Sequence, residues 1–179
     1  MLNVSIVLYN PNWQEVSDLT ATLLQSKYVD HIYWIDNSPT SSCPQSIDTR
    51  VIYQHNQHNI GYGAAHNIAI RESIYDNVPY HLVINPDIIL NAKELEQMLQ
   101  FISSHPEVGS LMPKVVYPNG ELQYLCKLLP TPFDVFGRRF LPHQWMEHRN
   151  HTYEMRASGY NKLMNVPYLS GCFMLLRTQ

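Results

Sequence analysis

The chain has 179 residues, enough for one domain with a sizeable core. A hydrophobic fraction of 45% against 15% charged residues excludes a disordered chain. A formal net charge of −3 leaves no global basic field for nucleic acid, and the twelve tyrosines are scattered rather than gathered on one RNA-reading strand.

The cysteines Cys43, Cys126 and Cys172 are odd in number and widely spaced, with no Cys-x-x-Cys pair. They fit a reducing compartment better than a disulfide framework or a thiolate zinc site. No apolar run approaches the roughly 18 residues that span a bilayer. Met1-Leu2-Asn3 leads straight into Val4-Ser5-Ile6-Val7-Leu8, without the basic region and cleavage site of a signal peptide. The expected location is the cytoplasm, with contact at the inner face of a membrane left open.

Val4 to Leu8 reads as a first buried strand. Asn12 caps the next helix, with Glu15 three residues on as the second half of a capping box, and Val16, Leu19 and Leu23 form its inward stripe. His31 to Ile35 is a second strand ending in the turn cluster Asp36-Asn37-Ser38-Pro39-Thr40, and Val51 to Gln54 is a short third. Gly61 and Gly63 introduce a helix from about Ala64 to Tyr75, whose Ala65, Ile68, Ala69 and Tyr75 can face a sheet.

The stretch Leu82-Val83-Ile84-Asn85-Pro86-Asp87-Ile88-Ile89-Leu90 is a strand buried on both faces that must break at Pro86. Asn91 and Glu94 form another capping box, followed by the stripe Leu95, Met98, Leu99 and Ile102. Beyond it, Ser110 to Tyr117 reads as a strand interrupted by Pro113, Pro118-Asn119-Gly120 as a turn, and residues 126 to 165 as a long irregular excursion. Tyr168 to Leu176 closes the chain as one apolar strand. Strands alternating with helices predict an α/β fold with a mostly parallel sheet flanked by helices.

Four polar turns follow four buried strands: Tyr9-Asn10, Asp36-Asn37-Ser38, Asn59-Ile60-Gly61 and Asn85-Pro86-Asp87. In an open α/β sheet such turns converge on one edge, where ligands bind. Tyr9 can stack on a base, and Asp36 can accept hydrogen bonds from a base or ribose. The Gly61-Tyr62-Gly63 turn opens a helix whose free N–H groups favour phosphate, although it has neither the P-loop ending nor the three-glycine dinucleotide fingerprint. A carboxylate such as Asp87 suits Mg²⁺ or Mn²⁺ carrying a diphosphate. Each turn taken singly is better explained as plain turn chemistry. Their order carries the argument.

That ordered set, Val4-Ser5-Ile6-Val7-Leu8-Tyr9-Asn10, Ile35-Asp36-Asn37-Ser38, Asn59-Ile60-Gly61-Tyr62-Gly63-Ala64-Ala65-His66-Asn67 and Asn85-Pro86-Asp87, resembles family 2 glycosyltransferases. Among them it looks most like rhamnosyltransferase-like members from bacterial surface polysaccharide synthesis. Met112-Pro113-Lys114-Val115, Pro118-Asn119-Gly120 and Ser170-Gly171-Cys172-Phe173-Met174-Leu175-Leu176-Arg177 fit the same pattern.

The resemblance implies a GT-A fold over 1–179, with 1–105 the nucleotide-sugar-binding half and 106–179 an incomplete acceptor-side part. It implies a nucleotide-diphosphate sugar donor (dTDP- or UDP-linked), a divalent metal, inversion at the anomeric carbon, and a saccharide or lipid-linked acceptor. By that match Tyr9, Asn10 and Asp36 hold base and ribose, Asn59, Gly61, Asn67 and Asn85 lie against the nucleotide sugar, and Asp87 binds the metal. Asn85 stands where many relatives carry the first Asp of an Asp-x-Asp motif, and Leu8 replaces a residue that is often small and polar.

The family's acidic base resembles a motif beyond the Gly-x-x-x-Leu-x-Arg strand, and here the sequence stops at Arg177-Thr178-Gln179. The expectation is a C-terminally truncated chain whose catalytic residue is unknown, and the alternative is a nucleotide-sugar-binding fragment without transfer activity. A plain nucleotidyltransferase has less support, since no Gly-rich loop with a following Arg or Lys succeeds the first strand. Glu121, Asp134, Glu147 and Glu154 have no motif context as a base. His143, His148 and His151 lack metal-site spacing. Arg138-Arg139-Phe140-Leu141 suits either an anionic membrane surface or a solvated loop. A final strand without covering helices would expose apolar surface that a second copy could cover.

Overall fold

The computed structural model describes residues 1–45, 48–129 and 150–179. His143, His148, Asp134, Glu147 and the Arg138-Arg139-Phe140-Leu141 segment lie outside the described residues. The chain divides into two compact units, Met1–Met112 with Gly171–Gln179, and Pro113–Ser170.

In the first unit, β1 (Leu2–Leu8), β2 (Val29–Asp36), β3 (Val51–His55) and β4 (Tyr80–Ile84) are parallel neighbours in the order β3-β2-β1-β4. Past β4 the sheet continues with β8 (Phe173–Arg177), antiparallel to β4, and then β5 (Ser110–Leu111), antiparallel to β8. The helices are α1 (Trp13–Leu23), α2 (Tyr62–Tyr75) and α3 (Ala92–Ser104). The expected α/β architecture is present, as a mixed and mostly parallel sheet.

Strand alternation assigns the helices to faces. Leu2, Val4, Ile6 and Leu8 of β1 join Ile32, Trp34, Leu82 and Ile84 in one cluster with Val16, Leu19 and Leu23 of α1 and Leu95, Leu99 and Ile102 of α3. Tyr33 and Ile35 pack with Ala65 and Ala69 of α2 on the other face. Each fully buried Leu or Ile contributes roughly 1.5–3 kcal/mol, so the first cluster supplies most of the driving force. Trp34 lies within it because its indole N–H donates to Thr20 Oγ1 at 3.1 Å, which also accounts for a threonine on the inner face of α1.

The α2 face has a polar interior. Asn3 and Ser5 of β1, His81 of β4, and His66 and Ser73 of α2 are all buried. Such a layer is stable only when its groups are paired. Ser73 Oγ donates to Ala69 O and accepts from Asn3 Nδ2, both at 3.1 Å. Its proton being used, His81 Nδ1 donates to it at 2.7 Å. His81 Nε2 then accepts from Ser5 Oγ (2.8 Å), and Ser5 Oγ accepts from His66 Nδ1 (2.6 Å). Asn3 Oδ1 completes the chain by accepting from His31 N at 3.2 Å.

Helix ends follow their sequence signals, with one correction. Asn91 and Glu94 make the full capping box of α3. At α1, Asn12 Oδ1 accepts from Gln14 N at 3.1 Å, but Glu15 reaches the Asn12 side-chain amide at 2.9 Å rather than its backbone, so the expected box is replaced by a simple cap. Tyr75 is 82% exposed rather than sheet-facing. It follows Ile68 by two turns, on the margin of a stripe centred on Ala65, Ala69 and Ser73, and is the last helical residue.

Two strands end differently from the expectation. The strand beginning at Ser110 stops at Leu111, because Pro113 cannot donate to a ladder and the chain passes there into the second unit. The run Tyr168 to Leu176 is two strands: β7 (Tyr168–Leu169), which pairs with β6 (Cys126–Lys127), and β8. Between them Gly171 O and Cys172 O are engaged by Tyr62 and Asn85. Arg177, closing β8, donates to His105 O (3.1 Å), Val108 O (3.2 Å) and Ile102 O, tying the sheet to the negative end of α3.

Within the second unit, Val116 bridges Leu122 around the Pro118-Asn119-Gly120 turn, where Gly120 adopts φ +83°. Tyr160 OH bonds Cys126 O at 3.0 Å and Glu154 O at 2.8 Å. The Glu154 carboxylate accepts from Arg156. No helix among the described residues is long and apolar enough to cross a membrane, and Cys43, Cys126 and Cys172 form no disulfide.

Candidate functional site

The order β3-β2-β1-β4 places the switch in winding direction between β1 and β4, with α2 carrying the crossover from β3 to β4. The carboxyl ends of these strands and the start of α2 therefore share one edge. The four strand-end turns singled out in the sequence fall on it.

Tyr9 is exposed just past β1, and Asn10 takes a left-handed conformation, φ 47°, that Asn tolerates better than most residues. Asn10 N donates to Ser38 Oγ at 2.7 Å, joining the ends of β1 and β2. Asp36 is fully buried, with Oδ1 accepting from Ser38 N at 2.8 Å and Oδ2 from Tyr53 OH at 2.7 Å. Tyr53 has given its proton to Asp36, so Ser41 Oγ donates to the phenol oxygen across their 2.8 Å contact. Burial, and then the Asp36 carboxylate, push the Tyr53 phenol up to about 12. Each Asp36 oxygen keeps one unused lone pair.

Asn37 continues the edge. Its Oδ1 accepts from Asn56 Nδ2 at 2.9 Å, and its Nδ2 donates to Asn59 Oδ1 at 3.4 Å. Asn59 Oδ1 also accepts from Gly61 N at 2.9 Å, an Asx turn that aims the chain into α2. Gly61 has φ +91° and ψ 154°, a conformation open mainly to glycine, and supplies no side-chain cap. The first N–H groups of α2 are left to face the edge, the arrangement that favours a phosphate. Asn67 lies one turn further on, exposed.

At the end of β4, Asn85 N donates to Cys172 O at 2.9 Å, and Ile88 N closes the turn on Asn85 O at 3.3 Å. Tyr62 OH contacts both Asn85 Oδ1 (3.0 Å) and Gly171 O (2.5 Å). Its ring stands edge to face with His66 at 4.3 Å. Burial, then the neighbouring Cys172 and Asp87, raises the Tyr62 phenol above its ordinary range. His66 Nε2, behind it, is buried and has no hydrogen-bond partner among the described residues. Asp87 projects from the turn, exposed.

Hydrogen bonds thus join Asn10 to Ser38 and Asp36, Asn37 to Asn59 and Gly61, and Tyr62 to Asn85. Asn67 and Asp87 share the edge without joining these contacts. Among the described residues there is no group of three or more His, Cys, Asp or Glu that could hold a metal. The donor set is one exposed carboxylate beside an amide. That fits Mg²⁺ or Mn²⁺ of the kind held by one or two carboxylates with phosphate oxygens and water completing the shell, and it does not fit a protein-only cage.

Sequence reasoning placed Ser38 and Tyr62 within the edge turns without giving either a role, and missed Tyr53. A signal existed for Tyr62, an aromatic between two glycines at a helix start. Tyr53 lies on a half-exposed edge strand and reveals its role only through Asp36.

The model of the glycosyl transferase family 2 matches residues 4–178. Among solved structures, Staphylococcus aureus TarS 1–349 is 17% identical, with a TM-score of 0.53 over 74% of this chain and 43% of that one. The mannosyltransferase PcManGT from Pyrobaculum calidifontis, solved with GDP-Man and Mn²⁺, is 14% identical, with a TM-score of 0.49 over 66% of this chain and 36% of that one. The aligned chain thus spans well under half the length of either structure. No curated protein sequence matches it.

Proposed function

Because the chain belongs to glycosyl transferase family 2, we propose that its β1–β4 edge binds a nucleotide-diphosphate sugar and serves transfer of that sugar, with inversion, to a saccharide or lipid-linked acceptor. The observation that carries this reading is the convergence of all four strand-end turns and the open N-terminus of α2 on one edge.

Tyr9 would stack on the base. Asn10 and Asp36 would hold base and ribose, Asp36 through its remaining lone pairs, with Tyr53 fixing its orientation. The α2 N-terminus, with Asn59, Gly61 and Asn67 around it, would receive the diphosphate, where its N–H groups oppose the charge that grows on the leaving group. Asp87 would hold Mg²⁺ or Mn²⁺, with Asn85 beside it. When bound, the cation supplies further positive charge to the departing diphosphate. The base that takes the acceptor proton is not assigned to any residue.

The resemblance to rhamnosyltransferase-like members makes dTDP-rhamnose the first donor to test, followed by UDP-linked sugars; the role proposed with it is cell-surface polysaccharide synthesis at the inner face of a membrane. The test is release of nucleoside diphosphate from each donor in Mn²⁺, with and without oligosaccharide or lipid-linked acceptors. Acceptor-dependent release supports transfer. Binding of donors without release favours a nucleotide-sugar-binding role, and neither binding nor release with any donor overturns the reading.

A further inference from the structure

We infer that Tyr62 is a positioning residue for the donor edge, locking the Asn85-Pro86-Asp87 turn to the start of β8 so that Asp87 is presented in one arrangement. The inference rests on the proposed nucleotide-sugar site and adds a residue to it.

Tyr62 is the first residue of α2, and its side chain is fixed at three places. The hydroxyl lies 2.5 Å from Gly171 O and 3.0 Å from Asn85 Oδ1. The phenol O–H is the donor to both oxygens, more strongly to Gly171 O at the shorter distance, and Asn85 Oδ1 accepts as the second partner. The ring edge is set by Gly171, where an added Cβ would lie 3.2 Å from Tyr62 Cε1. The ring face or edge on the other side is set by His66 at 4.3 Å, one helical turn on. His66 is itself held by Ser5.

The consequence falls on Asp87. Among the described residues it makes no hydrogen bond or ion pair of its own, so its placement comes from the turn it sits in. That turn is closed by Ile88 N on Asn85 O and anchored by Asn85 N on Cys172 O. Among the described residues its one side-chain anchor is the Asn85 amide on Tyr62. Removing the phenol oxygen frees the Asn85 side chain and loosens the turn relative to the α2 N-terminus, while the backbone bond to Cys172 O stays. A cation held jointly by Asp87 and a diphosphate at that N-terminus tolerates little such movement, because near-octahedral ligand geometry is demanding.

Y62F removes the oxygen and keeps the ring. G171A approaches the same contact from the opposite side, since Gly171 has no left-handed φ and the added methyl presses on the ring. The measurement is the Mn²⁺ gain, the ratio of UDP or dTDP affinity with and without Mn²⁺, together with the melting temperature of each protein. The expected result is a gain reduced about tenfold in Y62F and reduced in G171A, with melting temperatures kept within a few degrees. An undiminished gain in both variants overturns the inference. So does a collapse of melting temperature together with metal-free affinity, which marks a structural role alone. If wild type itself shows no Mn²⁺-dependent binding, the donor-site reading fails and this inference with it. If D87A loses the gain while Y62F keeps it, only Tyr62 is wrongly assigned.

Discussion

His66 Nδ1 stands 2.6 Å from Ser5 Oγ, joining the first turns of α2 to the middle of β1 where neither residue meets solvent. The same hydroxyl donates to His81 Nε2 at 2.8 Å, so one serine satisfies two imidazoles. Ser5→Ala removes two hydrogen bonds and strands two buried ring nitrogens, each costing about 1–3 kcal/mol. Denaturant unfolding should show a loss of at least about 2 kcal/mol with an unchanged m-value. A loss within about 0.5 kcal/mol, as for a surface change, would contradict the pairing.

The same layer makes a prediction about acid. Burial pulls His66 down to about 4, and burial together with the charge of His66 pulls His81 down to about 3. Above the ordinary histidine value of about 6.5, both are neutral folded and unfolded, and contribute no pH dependence. Below it the unfolded chain takes up protons that the folded chain refuses. Stability therefore falls as pH drops from about 6.5 toward 4 for His66 and toward 3 for His81, by about 1.4 kcal/mol per pH unit for each histidine. Imidazole NMR should show two of the nine histidines still neutral at about pH 5 while the protein remains folded. Titration of all nine between about pH 5.5 and 7.5 would rule out the buried pair.

At the β2 end, the direction of the Tyr53 proton orders two substitutions. Tyr53→Phe leaves a buried carboxylate oxygen of Asp36 without its donor, a loss on the order of 1.5–3 kcal/mol. Asp36→Asn is gentler. Its new NH₂ can donate to the phenol oxygen, whose proton then swings to Ser41. Thermal unfolding should rank Y53F below D36N, and the reverse order would mean that Tyr53 does not serve Asp36.

The sequence made most of the first unit legible because its signals are local. β1, β2 and β4 are apolar runs ended by turn residues, α3 carries a full capping box, and Pro86 marks where β4 stops. The four strand-end turns could be placed on one edge from the α/β alternation, since the loops at the carboxyl ends of parallel strands share an edge. What stayed hidden depends on partners far along the chain. Asn3 meets Ser73 across 70 residues, Ser5 meets His81 across 76, and Tyr62 meets Gly171 across 109. Asn3 and Ser5 are polar residues in an otherwise apolar strand, and no sequence period points to their partners. The division of Tyr168 to Leu176 into two strands escaped for the same reason: Ser170 and Gly171 interrupt the apolar run only briefly, and the contacts of Gly171 O and Cys172 O with Tyr62 and Asn85 at the break come from far along the chain.

The central claim, a donor site in which Asp87 holds the cation, is tested most directly by calorimetric titration of wild type and Asp87→Ala with UDP and dTDP, each with and without Mn²⁺. Asp87 is exposed, so its removal should change stability by less than about 0.5 kcal/mol. The account predicts that Mn²⁺ tightens nucleoside diphosphate binding to wild type by at least about tenfold and leaves D87A unaffected. Equal Mn²⁺ dependence in both proteins, or no binding to wild type under any of the four conditions, would contradict it.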